Sequence, residues 1–327
     1  MCEDFFEPTN PADTDLIPLY PDETLEDLQR DGLRLIQKKD GFRSGEAAVW
    51  LAAFTAACWE SSPRPSLSFA ELGSGNGMAS LLLGARLKTA RGVGLEISAR
   101  QAELMGRNIR LNQQTSRLNC LQADIRALAQ LSQAQWPALL QPSSLDFVMT
   151  NPPFFTAGPL PDGGFGQART RLTQPAPPGE AERRGARSEQ NGLTFDRIAQ
   201  VASRLLRHHG CLHLLHTAAR LPELLQELTR AELMPKSVRG ISSQTARGAE
   251  LVFITAIKGG RPGGFKLEPT FEVHGPDGQL SPAAQAVYGP AAPLSVKQLW
   301  HRVKMRQNPE RRVGKLVVNP GGEQNEP

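Results

Sequence analysis

From residue 66 to residue 258, short apolar runs alternate with amphipathic stretches of helical period, and that order leaves few ways to bury both kinds of element. Strands joined through helices must lie parallel in one sheet with the helices on its faces. The pattern predicts strands over 66–72, 91–97, 118–123, 145–150, 210–216, 236–241 and 250–258. Between them it predicts helices over 78–87, 98–112, 195–208 and 222–232. The expected class is α/β, a Rossmann-like, seven-stranded and mostly parallel sheet with helices on both faces. Two segments resist the scheme. Residues 156–191 form a long loop rich in arginine, glycine and proline, and residues from 259 onward are glycine- and proline-rich before a basic end. The expected division is an acidic segment 1–40, a main domain 41–258, a C-terminal element 259–288 and a basic tail 289–327.

Charge narrows the partners. Residues 1–31 carry ten acidic side chains against Arg30 alone, a balance of −9, so a chain of net charge +4 carries +13 in the remainder. A body that basic favours a polyanion such as nucleic acid. No apolar run reaches the roughly 20 residues that cross a bilayer, and the acidic start is unlike a basic targeting peptide, so a cytoplasmic protein without a membrane partner is expected. Cys2, Cys58, Cys120 and Cys211 lie far apart with no C-x-x-C pair, which predicts buried thiols and no metal site.

Three features carry chemistry. The first is the strand and loop Glu71-x-Gly73-x-Gly75-x-Gly77, whose glycines let backbone approach a ligand at a helix N-terminus. A dinucleotide fingerprint needs Gly or Ala at the sixth position from Gly73, and Met78 stands there instead. The second is a pair of acids at later strand ends. Glu96 is placed to accept both hydroxyls of a ribose, while Asp124 is placed either to accept an adenine amino group or to cap a helix. The third is Asn151-Pro152-Pro153-Phe154-Phe155, directly after the apolar run 145–150. The prolines stiffen the strand exit and free the Pro152 carbonyl from sheet pairing. With the Asn151 amide oxygen, that carbonyl offers two acceptors to an amino group whose lone pair is delocalised into a planar base, and Phe154 offers a face on which the base can stack.

These motifs resemble the class I S-adenosylmethionine-dependent methyltransferases that modify exocyclic amino groups through an N-P-P-[YF] motif. More closely, residues 41–288 resemble the bacterial tRNA1(Val) adenine-37 N6-methyltransferase family, through the Gly41–Gly45 segment, the glycine loop, Glu96, Asp124, Asn151 to Phe154 and the stretch from Phe271 to Tyr288. The resemblance implies S-adenosyl-L-methionine held by Arg43, Glu71, Gly73, Gly75, Gly77, Glu96, Ile97, Asp124, Ile125 and Asn151. It implies catalysis by Asn151, Pro152, Pro153 and Phe154, without a metal. RNA, most simply tRNA, is the implied substrate, reached by Phe154 and Phe155; from their charge and their place after the motif, Arg169, Arg171 and Arg187 of the long loop are expected on its phosphates. The same residues leave other readings open: a glutamine N5-methyltransferase of a release factor, a DNA or rRNA adenine methyltransferase, or a non-catalytic RNA-binding protein on the same fold.

Overall fold

The computed structural model describes residues 17–40, 43–132, 135–152, 193–244, 248–288 and the short strand 303–305. The chain opens with β1 (Ile17–Leu19) and the hairpin β2 (Glu23–Asp27) and β3 (Arg34–Lys38), followed by α1 (Glu46–Trp59). The alternating part then runs β4 (Leu67–Leu72), α2 (Met78–Arg86), β5 (Ala90–Glu96), α3 (Ala99–Leu111), β6 (Leu118–Gln122), α4 (Ile125–Leu128) and β7 (Leu145–Thr150). From residue 193 onward come α5 (Phe195–Leu205), β8 (Leu206–Thr217), α6 (Leu221–Arg230), β9 (Leu233–Gln244), β10 (Leu251–Lys258), β11 (Lys266–His274) and α7 (Pro282–Tyr288), while the long loop expected over 156–191 lies outside the described residues. The strand β12 (Val303–Met305) pairs in parallel with β1, so part of the basic tail is built into the fold.

The main sheet has the order β11-β9-β10-β8-β7-β4-β5-β6. All its neighbours pair in parallel except β10, which runs against β8 and β9. This is the expected doubly wound class, with eight strands where seven were expected. The extra strand, β11, comes from the 259–288 segment. Its sequence hides it, because Pro269 interrupts the run and only two of its nine residues, Phe271 and Val273, are buried, as an edge strand permits. The pairing skips across that proline, between Glu268 and Phe271. The helix expected to reach residue 208 ends at Leu205. Leu206 pairs with Leu145 and its carbonyl accepts from Lys258 Nζ at 2.7 Å, so sheet contacts override the helical period there.

The pleat of the sheet sends alternate side chains into two cores. Phe69, Phe147 and Met149 face α1, α2 and α3, while Ala70, Val148 and Leu212 face α5 and α6. Phe69 and Phe147 stack with ring centroids 5.2 Å apart, and Trp59 covers Phe147 from α1 at 5.1 Å. Beside them His213 is fully buried, accepting from Trp59 Nε1 at 2.9 Å. Burial pushes its imidazole down to about 3. The unfolded chain takes up a proton below about pH 6.5 that the folded core refuses, so stability is lost as pH falls through that value. Denaturant titrations between pH 7 and 4.5 should show His213→Gln with a slope shallower by up to about 1.4 kcal/mol per pH unit than the native protein. Equal slopes would mean that His213 is not the group responsible.

No strand was expected in the acidic segment, yet β1 to β3 are there, and the described acids are paired, several of them with cations of the main domain. Asp22 pairs with Lys38 and Arg100, Glu23 with Arg107 and Lys38, Glu26 with Arg43, and Asp31 with Lys88. The negative segment therefore folds against the basic body, and the two charges cannot be treated as separate fields. Asn108 and Asn112, one turn apart on α3, bond the backbone of β3 as a neighbouring strand would. Asn108 accepts from Ile36 N at 2.7 Å and donates to Ile36 O at 3.0 Å, and Asn112 does the same with Arg34.

Candidate functional site

The order β5-β4-β7 brings three carboxyl strand ends together, and the predicted motifs leave the sheet there side by side. Thr150 Oγ1 donates to Leu72 O at 2.8 Å and ties the ends of β4 and β7. Gly73, Gly75 and Gly77 all have positive φ, at 74°, 54° and 85°. A side chain would be strained at each. At Gly77 it would also meet α3, because a Cβ would lie 2.6 Å from Met105 Cγ. The loop is held from below by Leu95 O, which accepts from Gly73 N and Ser74 N at 2.9 Å.

Glu96 closes the loop from the next strand. One carboxylate oxygen accepts from Gly75 N at 2.8 Å and the other from Ser98 N at 2.9 Å, at the start of α3. Burial raises its carboxyl above the ordinary range, and these two bonds oppose the rise. Glu71, implied by the resemblance as a cofactor contact, stands beneath the loop. Being on the Phe69 face of β4, it points at α2, is 4% exposed, and accepts from Ser80 N and Ser80 Oγ. Burial pushes its carboxyl up to about 8, with the Glu96 charge adding to the rise. It braces the start of α2 beneath the loop.

Asp124 caps α4 by accepting from Arg126 N at 2.8 Å, and the Arg126 guanidinium also grips its carboxylate. Those bonds outweigh its desolvation and hold the carboxyl below its usual value. Of the two isoleucines that follow these acids, Ile97 is 52% exposed and Ile125 is buried. Arg43 lies against the hairpin, donating to Lys38 O at 3.1 Å and pairing with Glu26. Asn151 is half-buried and Pro152 buried at the exit of β7. Among the described residues, the buried Oδ1 of Asn151 has no hydrogen-bond partner, and neither does the buried Oγ of Ser74 in the glycine loop. Pro153, Phe154, Phe155, Arg169, Arg171 and Arg187 lie outside the described residues.

One participant was not singled out from the sequence. Asn76, buried inside the glycine loop, accepts from Ser44 Oγ at 2.7 Å, and its carbonyl accepts from Asn108 at 3.0 Å. It joins the loop to the segment before α1 and to α3. A polar residue between glycines gave only a weak signal of this, since its partners lie 32 residues away on either side. Among the described residues, no group of three His, Cys, Asp or Glu side chains could hold a metal ion, and no helix is long and apolar enough to cross a membrane.

No protein-family model matches the chain, and no curated protein does. Among solved structures it is similar to a protein described as a predicted O-methyltransferase from Agrobacterium tumefaciens, at 19% identity and a TM-score of 0.52, over 79% of this chain and 98% of that one. It is also similar to TYW2 from P. horikoshii in complex with MeSAdo, at 12% identity and a TM-score of 0.47, over 73% of this chain and 72% of that one. TYW2 from M. jannaschii in complex with AdoMet matches at 12% identity and a TM-score of 0.45, over 72% and 85% of the two chains. The likeness to the Agrobacterium protein is one of fold, the Rossmann-like fold of the class I methyltransferases.

Proposed function

We propose that the chain is an S-adenosyl-L-methionine-dependent methyltransferase that modifies the N6 amino group of adenine in structured RNA, of the tRNA adenine-37 type. The observation that carries the reading is the buried Oδ1 of Asn151, without a hydrogen-bond partner among the described residues, at the exit of β7 beside the glycine loop. A buried acceptor without a donor costs free energy, and a substrate amino group would supply the missing hydrogen.

The residues on the loop suit the cofactor. Three glycines at positive φ keep the backbone bare, and space beside Gly73 is open where a Cβ would stand. Ser74 Oγ is a second buried polar atom awaiting a partner. Glu96 would take the ribose hydroxyls with its remaining acceptor capacity, Ile97 would cover the adenine face, and Asp124 would meet the adenine edge in competition with Arg126. Gly73, Gly75 and Gly77 would pass along the methionine portion, with Arg43, Glu71 and Ile125 supporting the walls. When bound, S-adenosyl-L-methionine supplies an electrophilic methyl group.

Asn151 Oδ1 and the Pro152 carbonyl would accept the two N6 hydrogens, turning the nitrogen lone pair out of conjugation and toward the methyl carbon. Phe154, with Phe155 and Pro153 behind it, would hold the base plane by stacking. The nitrogen would receive the methyl group that S-adenosyl-L-methionine supplies, with the electron pair of the old bond left on sulfur and the amine proton released to water. Positioning and desolvation provide the acceleration. Arg169, Arg171 and Arg187 would hold phosphates near the mouth. An adenine in a hairpin loop is the cheaper substrate, because little stacking is lost when it turns out.

Calorimetric titration with S-adenosyl-L-methionine, followed by turnover on bulk tRNA and nucleoside mass spectrometry, tests the reading. Wild-type protein should bind the cofactor and yield N6-methyladenosine. Glu96→Ala should bind it more weakly by about 1.5–3 kcal/mol, the range of a charge-assisted hydrogen bond, with RNA binding unchanged. No cofactor binding by the wild-type protein, or a methyl group found elsewhere, would defeat the proposal.

A further inference from the structure

The two edges of the main sheet carry opposite charge. At the carboxyl edge stand Glu96, Asp124 and Glu250, the last directly before β10. The amino edge is cationic. Arg91 lies at the start of β5, Arg117 directly before β6, Lys236 near the start of β9, Lys258 at the end of antiparallel β10, Arg261 in the following turn and Lys266 at the start of β11. Among the described residues none of these six forms an ion pair. Arg91 donates to Ser116 O, Arg117 to Gly84 O, Lys236 to the carbonyls of Arg261 and Gly263, and Lys258 to Leu206 O.

Backbone carbonyls orient these side chains without cancelling their charge. The guanidiniums of Arg91 and Arg117 are close enough that the first lowers the proton affinity of the second, after its partial burial. Two carboxylates stand nearby: Asp146, already held between Arg64 and Arg207, and Glu232 near Lys258. A row of cations with so few carboxylates beside it costs stability by self-repulsion unless an anion lies on it.

The shape of the row selects the anion. Eight strands about 4.8 Å apart make an edge roughly 34 Å long. Each strand is turned by roughly 20–25° from its neighbour, so the strand ends follow a curved path and cannot all touch one plane. A flat lipid surface would meet two or three of them. A nucleic-acid backbone, with phosphates repeating along a curved line, can follow the whole row. Phe265 is 44% exposed beside Lys266 and offers a flat apolar surface to an unpaired base.

We infer that the amino edge of the sheet is a second RNA-docking surface, which takes phosphodiester backbone at the far end of the strands from the glycine loop. It lies about 20 Å from that loop, the length of a six-residue strand, and holds a part of the RNA that the cofactor site does not touch. Its existence does not depend on the reaction assigned to the carboxyl edge.

Binding of bulk tRNA, without cofactor and as a function of KCl, is the test. Arg261→Gln/Lys266→Gln removes two exposed cations with no side-chain partner, and should flatten the log–log salt dependence by about 1.4–1.8. Adding Arg91→Gln/Arg117→Gln should bring the loss to about 2.8–3.6, with cofactor affinity unchanged. An unchanged slope in the folded fourfold variant overturns the inference. If that variant does not fold, an unchanged slope in the double variant overturns it as well. Loss of binding to phosphatidylserine vesicles with tRNA binding intact would assign the edge to a membrane instead.

Discussion

Asn151→Ala should lower methyl transfer to RNA by at least about 10²-fold while leaving S-adenosyl-L-methionine affinity within about twofold, the signature of a group that acts only on the reacting amine. The expectation follows from the placement of one atom. Asn151 Oδ1 is buried and accepts no hydrogen bond among the described residues, so the side chain braces nothing in the fold through that oxygen. Removing it costs the native protein little and the transition state a great deal. Asn151→Asp is the sharper comparison, because the carboxylate keeps the acceptor at similar volume and should retain more turnover than alanine does. Single-turnover assays with saturating cofactor separate this from a binding defect. Near wild-type turnover in Asn151→Ala would remove the N6 assignment and leave the motif as a rigid strand exit.

The largest stability effect is expected at Arg107. Its guanidinium is 1% exposed and donates to both oxygens of Glu23, at 2.8 and 2.6 Å, and to Pro18 O at 2.7 Å. Burial alone would raise the Glu23 carboxyl, but bonds from Arg107 and from Tyr20 N hold it below the ordinary range. Breaking a buried pair leaves one charge without compensation, which costs about 3–5 kcal/mol. Lys38 Nζ also lies 2.9 Å from Glu23, so Arg107→Leu should fall near the lower end, about 3 kcal/mol in urea denaturation. Arg107→Leu/Glu23→Leu should regain part of that loss, since no buried charge is then stranded. If the double variant is less stable than both single ones, the pair contributes packing and not charge compensation. Because Arg107 joins α3 to the hairpin, the single variant should also loosen β2 and β3, which hydrogen exchange would register as faster opening at Ile36.

The legible parts of this protein are those whose signal is local. The strands β4 to β10 announced themselves by short apolar runs, the turn after β4 by its glycines, and the Asn151-Pro152 exit by lying directly after an apolar run. β11 escaped because an edge strand needs neither continuous apolarity nor freedom from proline. β2 and β3 escaped because residues 1–40 were read only as an acidic segment, when Glu23 in fact has a partner 84 residues further on.

Read alone, the sequence determined the doubly wound class, the order of its parallel strands along the chain, and the arrival of the glycine loop, Glu96 and Asn151 at strand ends, since all of these follow from patterns spanning a few residues. Tertiary structure alone decided what each charged group does there. Glu71 turns inward to Ser80 because the register of β4 gives it the Phe69 face, and Asp124 is engaged by Arg126 at the start of α4. Asp22, Glu23, Glu26 and Asp31 are paired with Arg100, Arg107, Arg43 and Lys88 of the main domain, and cations without an ion pair among the described residues collect on the amino edge of the sheet. Coulomb energy and desolvation depend on distances of a few ångströms between residues tens of positions apart, and those distances exist only once the strands have paired.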